Sequence, residues 1–414
     1  MQKAIKIRLY PNASQRDALE AQFGAVRFVY NKSLATISHF YKYHKKNLSA
    51  YHDIKKLLPM AKNHSRYAFL KNADAQSLQQ SCINLDKAFK SFFNKKSGYP
   101  NFKRKQGYQK SYHPNGTVCV AEGKRYGHVK IPRIKAPIKA VIHRNLPDSS
   151  EGKLSSITLS KTPSGEYYAS LLYVMNEKLK EPKNTLSLSD IIGVDVGLNH
   201  LMITSKNKKY ANPKYYVKSL KELRKAQRKL SRCKKGSNNR HKARIIVAKC
   251  HEKVKRKRED LLHKISTQLI HENQVVVVET LAVKNMLKNH KLARGISDAS
   301  WSRFIEMLEY KARFYGKRVI KVSQWFPSTK LCHVCHYKHP NMTKDIRDWI
   351  CPDCNTHHDR DINAGINLQQ QGVIDLRAGG QVVLGDKAEI VELVSDANES
   401  SHSRNSDEAR SLAR

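Results

Sequence analysis

The chain has 414 residues and carries 77 Lys+Arg against 35 Asp+Glu, a formal net charge of +42. Self-repulsion of that size weakens a compact fold unless a polyanion neutralises it, and each neutralised phosphate releases counterions, so nucleic acid is the natural partner. A merely basic, ribosome-associated protein is the bland alternative; no run of ~18 apolar residues exists to span a membrane, and MQKAIKIRLYPNASQ lacks the apolar core of a signal peptide.

At 40% hydrophobic residues, the length suits two or three domains in a cytoplasmic, nucleoid-associated protein. In that reducing compartment the scattered Cys82, Cys119, Cys233 and Cys250 read as structural or incidental thiols. KAIKIRLY alternates charged and apolar residues, as a strand with one buried face does. Asn12 or Ser14 then caps a helix whose apolar positions are Leu19, Phe23, Val26, Val29 and Tyr30. A second helical stripe runs Leu78, Cys82, Leu85, Phe89 and Phe92. SGYPNFKRKQGYQKSY breaks the helix and interleaves aromatics with cations. From about Thr117 to Met175 the pattern turns to strands: TVCVAE, HVKIPRI, KAVIHRN, SSITLSK and YYASLLYVM. One strand, a helical block and several more strands predict a β-barrel-like domain with a helical insertion. EKLKEPKNTLSLSD reads as a linker.

IIGVDVG opens the second unit as a short apolar strand bearing Asp195, followed by the turn GLNH and the strand LMITS. A basic helical hairpin comes next: residues 221–258 hold 17 Lys+Arg and 2 Glu. That density exceeds an ordinary solvated face and points to a surface for nucleic-acid backbones. QVVVVETL is a continuous apolar strand of the kind buried in a parallel or mixed sheet, and it ends on Glu279. SWSRFIEMLEYKARFYG is an amphipathic helix, and RVIKVSQWFP a further strand. Residues 373–414 carry 5 Lys+Arg and 8 Asp+Glu with a Ser/Asn/Asp-rich end, the composition of a disordered tail.

Two constellations carry chemistry. Cys332-x2-Cys335 and Cys351-x2-Cys354 are separated by fifteen residues, and four thiolates close the coordination of one structural Zn²⁺. His333, His336, His339, His357 and His358 lie near enough in sequence to replace a ligand. Separately, Asp195 and Glu279 end apolar strands, where a carboxylate is costly unless paired or bound to metal. Asp361 opens the helix DINAGINLQQQ, with Asp359 competing for the same role. Gly193 and Gly197 allow another backbone or a ligand to approach closely. Converging acids of this kind could hold two Mg²⁺ ions and hydrolyse a phosphodiester.

GVDVGLNHLMITS, VVVVETLAVKNM, LCHVC…CPDC and HDRDINAGIN resemble the three RuvC motifs and embedded zinc ribbon of TnpB. TnpB is a transposon-encoded protein related to type V CRISPR effectors. RLYPNASQ, SGYPNFKRKQ and NPKYYVKSLKELRKAQRKLSR are similar to further TnpB segments, so the resemblance covers roughly residues 1–370. It implies a multidomain α/β architecture with these parts: a β-barrel wedge domain (1–10 and 113–185), a helical recognition insertion (11–112), an RNase H-like RuvC nuclease (186–325 and 357–372), a zinc ribbon (326–356) and the tail 373–414. It also implies RNA-guided cleavage of double-stranded DNA beside a short transposon-associated motif. The guide would come from the transposon's right end, on a protein monomeric with its RNA. The resemblance selects Asp361 over Asp359 as third catalytic acid with Asp195 and Glu279, and it nominates Tyr51 and Gln79 as motif readers. A non-catalytic RNA-guided regulator and a guide-independent transposase or resolvase are the alternatives. The intact acidic trio disfavours the first, and the large basic surface disfavours the second.

Overall fold

The computed structural model describes residues 1–105, 110–114, 116–122, 125–343 and 345–384. It divides into two units: unit 1 is Met1–Lys178 with Lys229–Lys249, and unit 2 is Leu179–Arg228 with the chain from Cys250 onward. Residues 106–109 of the aromatic–cation stretch and 385–414 of the acidic tail lie outside the described residues.

In unit 1, β1 (Gln2–Tyr10) buries Ile5, Ile7 and Leu9 on one face and turns Lys6 and Arg8 to the other, as its alternation predicts. Asn12 caps α1 (Ala13–His44) through a reciprocal pair with Gln15, the capping box. α2 (Leu58–Asn63) follows, then α3 (Ala75–Phe93), capped by Asp74. α1 and α3 bring their stripes together: Leu19, Phe23, Val26, Val29 and Tyr30 join Leu78, Cys82 and Leu85 in one core. Phe89 and Phe92 complete the second stripe but stack edge-on to Tyr99 at its margin instead of being buried.

The strands β2 (Lys110–Tyr112), β3 (Val118–Glu122), β4 (Tyr126–Lys130), β5 (Ile138–Val141), β6 (Gly152–Lys161) and β7 (Tyr167–Met175) complete an antiparallel sheet in the order β2-β6-β7-β1-β5-β4-β3. The expected barrel is not closed among the described residues. β2 pairs only with β6 and β3 only with β4, and the three residues of β2 offer little backbone for a further partner.

Unit 2 starts with β8 (Thr185–Ser187), β9 (Ile191–Val196), β10 (His200–Thr204) and β11 (Lys209–Ala211). α4 (Tyr215–Arg232) and α5 (Asn238–Glu272) form the basic hairpin, with their tips assigned to unit 1. β12 (Val275–Glu279), α6 (Val283–Met286), α7 (His290–Ala299), α8 (Trp301–Tyr315) and β13 (Arg318–Val322) follow. β14 (Asp348–Ile350) and β15 (His357–Asp359) belong to the cysteine-rich ribbon, and α9 (Arg360–Ala378) and β16 (Val382–Leu384) complete the unit.

The central sheet runs β11-β10-β9-β12-β13, with β9 antiparallel to β10 and parallel to β12, which is parallel to β13. Alternate residues of its strands face opposite layers. Ile192, Val194, Val276 and Val278 pack with α5, α7 and α8; Ile191, Val275 and Val277 pack with α9.

Two boundaries differ from the sequence reading. β13 stops at Val322, because the Ser323 hydroxyl accepts from the Trp325 backbone and bends SQWF into a turn. Residues 373–384 are folded instead of belonging to a tail: Val373, Leu376 and Val383 are buried, and β16 pairs with β8. The apolar spacing of α9 thus continues past its glutamines. Among the described residues no helix is long and apolar enough to cross a membrane.

Candidate active site

The geometry of the acids follows from two glycines. Parallel pairing sets Val278 against Val194, so the next residues, Glu279 and Asp195, end neighbouring strands side by side. Asp195 shares a face of β9 with Gly193 two residues earlier, and that face meets α9. A Cβ on Gly193 would stand 1.9 Å from the Gly365 carbonyl oxygen, and one on Gly365 2.9 Å from the Ser205 amide. Strand and helix therefore cross backbone to backbone. Asp361 lies four residues before Gly365, one turn along the same helix face, above the end of β9. Gln369 fixes the crossing by donating to the Ile191 carbonyl at 2.8 Å.

Electrostatics report the convergence. Burial, then the charges of Asp361 and Glu279, push the Asp195 carboxyl up to about 8, with Arg360 opposing. Burial also raises Glu279. A carboxyl raised by burial and by neighbouring negative charge ionises readily only when a cation offsets that repulsion. Carboxylate oxygens are the ligand type that a hard divalent ion prefers, and in this arrangement the Asp361 oxygens are engaged by arginines instead. Arg347 reaches both Asp361 oxygens at 2.9 and 3.1 Å, and Arg360 adds a third contact at 3.0 Å. Asp359 does different work: it caps α9 by accepting from the Asp361 and Ile362 amides and pairs with Lys209 at 2.6 Å. A cavity of about 580 Å³ in the same unit, bordered by Tyr216, Arg258 and Asp298, includes none of Asp195, Glu279 and Asp361.

The four ribbon cysteines present their Sγ atoms within 4.8 Å of one another. Cys332–Cys354 and Cys335–Cys351 stand 3.6 and 3.5 Å apart, close to the ~3.8 Å edge expected of a tetrahedron with ~2.3 Å zinc–sulfur bonds. Zinc therefore fits. His358 places Nε2 3.1 Å from the Cys332 sulfur, as a neighbour to a complete thiolate set.

Several residues that join ribbon and helix were not read from the sequence. Asn363 is buried on α9; its side-chain oxygen accepts from the His333 amide at 3.0 Å and its nitrogen donates to the Leu331 carbonyl. Asn367, one turn on, donates to Ser328 and Leu331, and Gln370 donates to His333. The first knuckle is thus tied to the helix carrying Asp361. The sequence does hold a signal for the crossing: Gly365 and Gly372, seven apart inside a helix, lie on one face where alanine would otherwise be favoured by ~1 kcal/mol each.

In unit 1, Tyr51 is exposed with Lys55 over its ring at 4.0 Å, and Gln79 is half-buried on α3. Ser49 ties the Tyr51 turn to Asp86, two turns beyond Gln79 on the same helix. The basic hairpin is two continuous helices, with Arg240 closing its tip by donating to the Leu230 and Cys233 carbonyls.

Three family models match: a probable transposase (OrfB_IS605) over residues 172–290, a Cas12f1-like TNB domain over 301–368 and a helix-turn-helix domain over 1–46. A Streptomyces pristinaespiralis protein named as a candidate RNA-guided DNA endonuclease is 37% identical over 373 residues, 90% of each chain. This chain belongs to the TnpB family. InsQ of Escherichia coli K12, named in the same terms, is 26% identical across 92% of this TnpB and 95% of its own length. The fold of this TnpB also resembles Cas12f1 in a complex with guide RNA and target DNA, with a TM-score of 0.55, 14% identity and coverage of 89% and 98%.

Proposed function

We propose that this TnpB is a divalent-metal-dependent, RNA-guided DNA endonuclease whose Asp195, Glu279 and Asp361 form one nuclease centre. The observation that carries the reading is geometric: strand register sets Asp195 beside Glu279, and the Gly193–Gly365 crossing brings the helix that carries Asp361 onto the same face. The strand order β11-β10-β9-β12-β13, three antiparallel strands followed by two parallel ones, supports an RNase H-like, RuvC-type assignment for unit 2. The seven-stranded sheet with its helical insertion supports the wedge and recognition roles in unit 1. The names of the relatives support an RNA guide and a DNA target; the TnpB resemblance further implies a guide drawn from the transposon's right end.

When bound, two Mg²⁺ ions would acidify the attacking water and neutralise the leaving 3′ oxygen. The chain's own residues do the rest. Glu279 and Asp195 are fixed by strand register, so their carboxylates need little reorganisation to act as ligands. Asp361 completes the set from the helix, oriented by Arg347 and Arg360. The hairpin's cations bind nucleic-acid backbones, while base pairing with the guide supplies sequence. Tyr51 and Gln79 read the flanking motif, the Gln by bidentate bonding to adenine. One Zn²⁺ on the four cysteines stiffens the ribbon, and the protein acts as a monomer with its RNA.

The test is Asp195→Ala in the RNA-bound protein. Cleavage of a duplex matched to the sequenced guide should vanish in Mg²⁺, with RNA and target binding retained. Loss of binding in parallel with cleavage would mean that the acid is structural. Full cutting by the variant would remove Asp195 from the nuclease centre.

A further inference from the structure

We propose that Trp325 is a stacking platform for a nucleobase of a DNA strand bound at the acid-bearing end of the sheet, a role that rests on the nuclease reading above. The chain has three tryptophans. Trp301 and Trp349 are 4% and 6% exposed, as a side chain of that size usually is, whereas Trp325 is 83% exposed.

The turn that displays it is held on both sides. The Trp325 amide donates to the Ser323 hydroxyl at 3.3 Å, and the Phe326 amide to the Ser323 carbonyl at 3.1 Å. Phe326 then packs onto the core beneath the sheet, so adjacent aromatics point opposite ways, one anchored and one presented. Register gives the location. Val322 pairs with Glu279, and its carbonyl accepts from Thr280. Three further residues extend the chain by at most about 11 Å, which keeps Trp325 at the acid-bearing end of the sheet.

A single strand in such a site is a good fit for an indole face. Stacking accepts any base, because every base has a π-surface, and that tolerance suits a centre whose sequence is chosen elsewhere by pairing. Stacking one nucleotide beside the carboxylates would hold the strand in the site and lower the DNA concentration needed to fill it.

The experiment uses the RNA-bound Asp195→Ala protein and a short single-stranded DNA of mixed sequence, with acrylamide quenching of tryptophan emission as readout. Trp325 is the tryptophan open to quencher, so DNA should protect the emission, and a Trp325→Phe version should show no DNA-dependent protection. In the otherwise wild-type enzyme, Trp325→Ala should raise KM for cleavage about tenfold with kcat changed less than twofold, and Trp325→Phe should restore most of the loss. A DNA complex seen by mobility shift with quenching unchanged overturns the proposal, as does an unaltered KM in Trp325→Ala. Protection that appears without DNA and fades on dilution would assign the indole to self-association and overturn it equally. Because protection is read without cutting, its failure is separate from failure of the nuclease reading, which cleavage of matched DNA by the wild-type protein and its loss in Asp195→Ala decide.

Discussion

Gly193→Ala probes the crossing that sets the acidic site. The added methyl would sit 1.9 Å from the Gly365 carbonyl oxygen and 2.7 Å from the Gln369 amide, both backbone atoms of α9. No rotamer change relieves such a clash, so helix and strand must part by more than 1 Å. A displacement of that size between groups that must act together costs on the order of 10²-fold in rate. Overpacking adds a stability loss of about 1–3 kcal/mol. Single-turnover cleavage by the RNA-bound variant should therefore fall about a hundredfold, with RNA and target binding by mobility shift near wild type. Gly372→Ala is the control: its methyl meets Val277 Cγ2 at 2.3 Å, a side chain two strand residues away from Glu279. It should cost similar stability and far less activity. A Gly193→Ala enzyme that cleaves within threefold of wild type would refute the reasoning.

Three other outcomes are expected. Asn363→Ala removes the bonds to Leu331 and His333 and should lower kcat roughly 10–100-fold with KM for DNA unchanged; equal loss of RNA binding would show a general folding defect instead. Cys351→Ser, or stripping the metal with a strong chelator, should release one zinc per chain, speed amide exchange in the first turns of α9 and abolish cleavage; retained activity without zinc would break the link between ribbon and Asp361. Lys311 is 7% exposed, donates to His263, Ser266 and Thr267, and is pushed by burial from 10.5 down to about 8. The folded state then resists protonation, so stability from this group is present at high pH, declines as pH falls from 10.5 to about 8 and is lost below. The shift corresponds to about 3 kcal/mol, partly offset by the three hydrogen bonds, so Lys311→Met should raise the melting temperature at pH 7 and lose that gain near pH 10.

Periodicity made much of the fold legible. The alternation in β1 and the four valines of β12 identified buried strands because water excludes one face or both. The capping Asn12 marked the start of α1 because its side chain has a defined backbone donor to satisfy. The stop at Val322 was not legible, since SQWFP keeps a strand-like composition and only the Ser323 hydroxyl bond reveals the turn. Nor was the ordered segment to Leu384, where net charge obscured a short apolar pairing. The cysteine quartet was readable because zinc demands fixed ligand types at short spacing. The choice between Asp359 and Asp361 came from family resemblance; spacing cannot tell a helix cap from an acid one turn before a backbone crossing. Asn363 and Asn367 were missed for a related reason: buried amides carry no compositional signal until their partners are known.

The β8–β16 pair has a practical consequence. Leu186 and Val383 share a core cluster with Ile191 and Val275, the first residues of β9 and β12, so the chain arrives and departs at the edge opposite Asp195 and Glu279. Deleting Val382–Leu384 would uncover Leu186 and loosen β9 and β12 from the end remote from the acids.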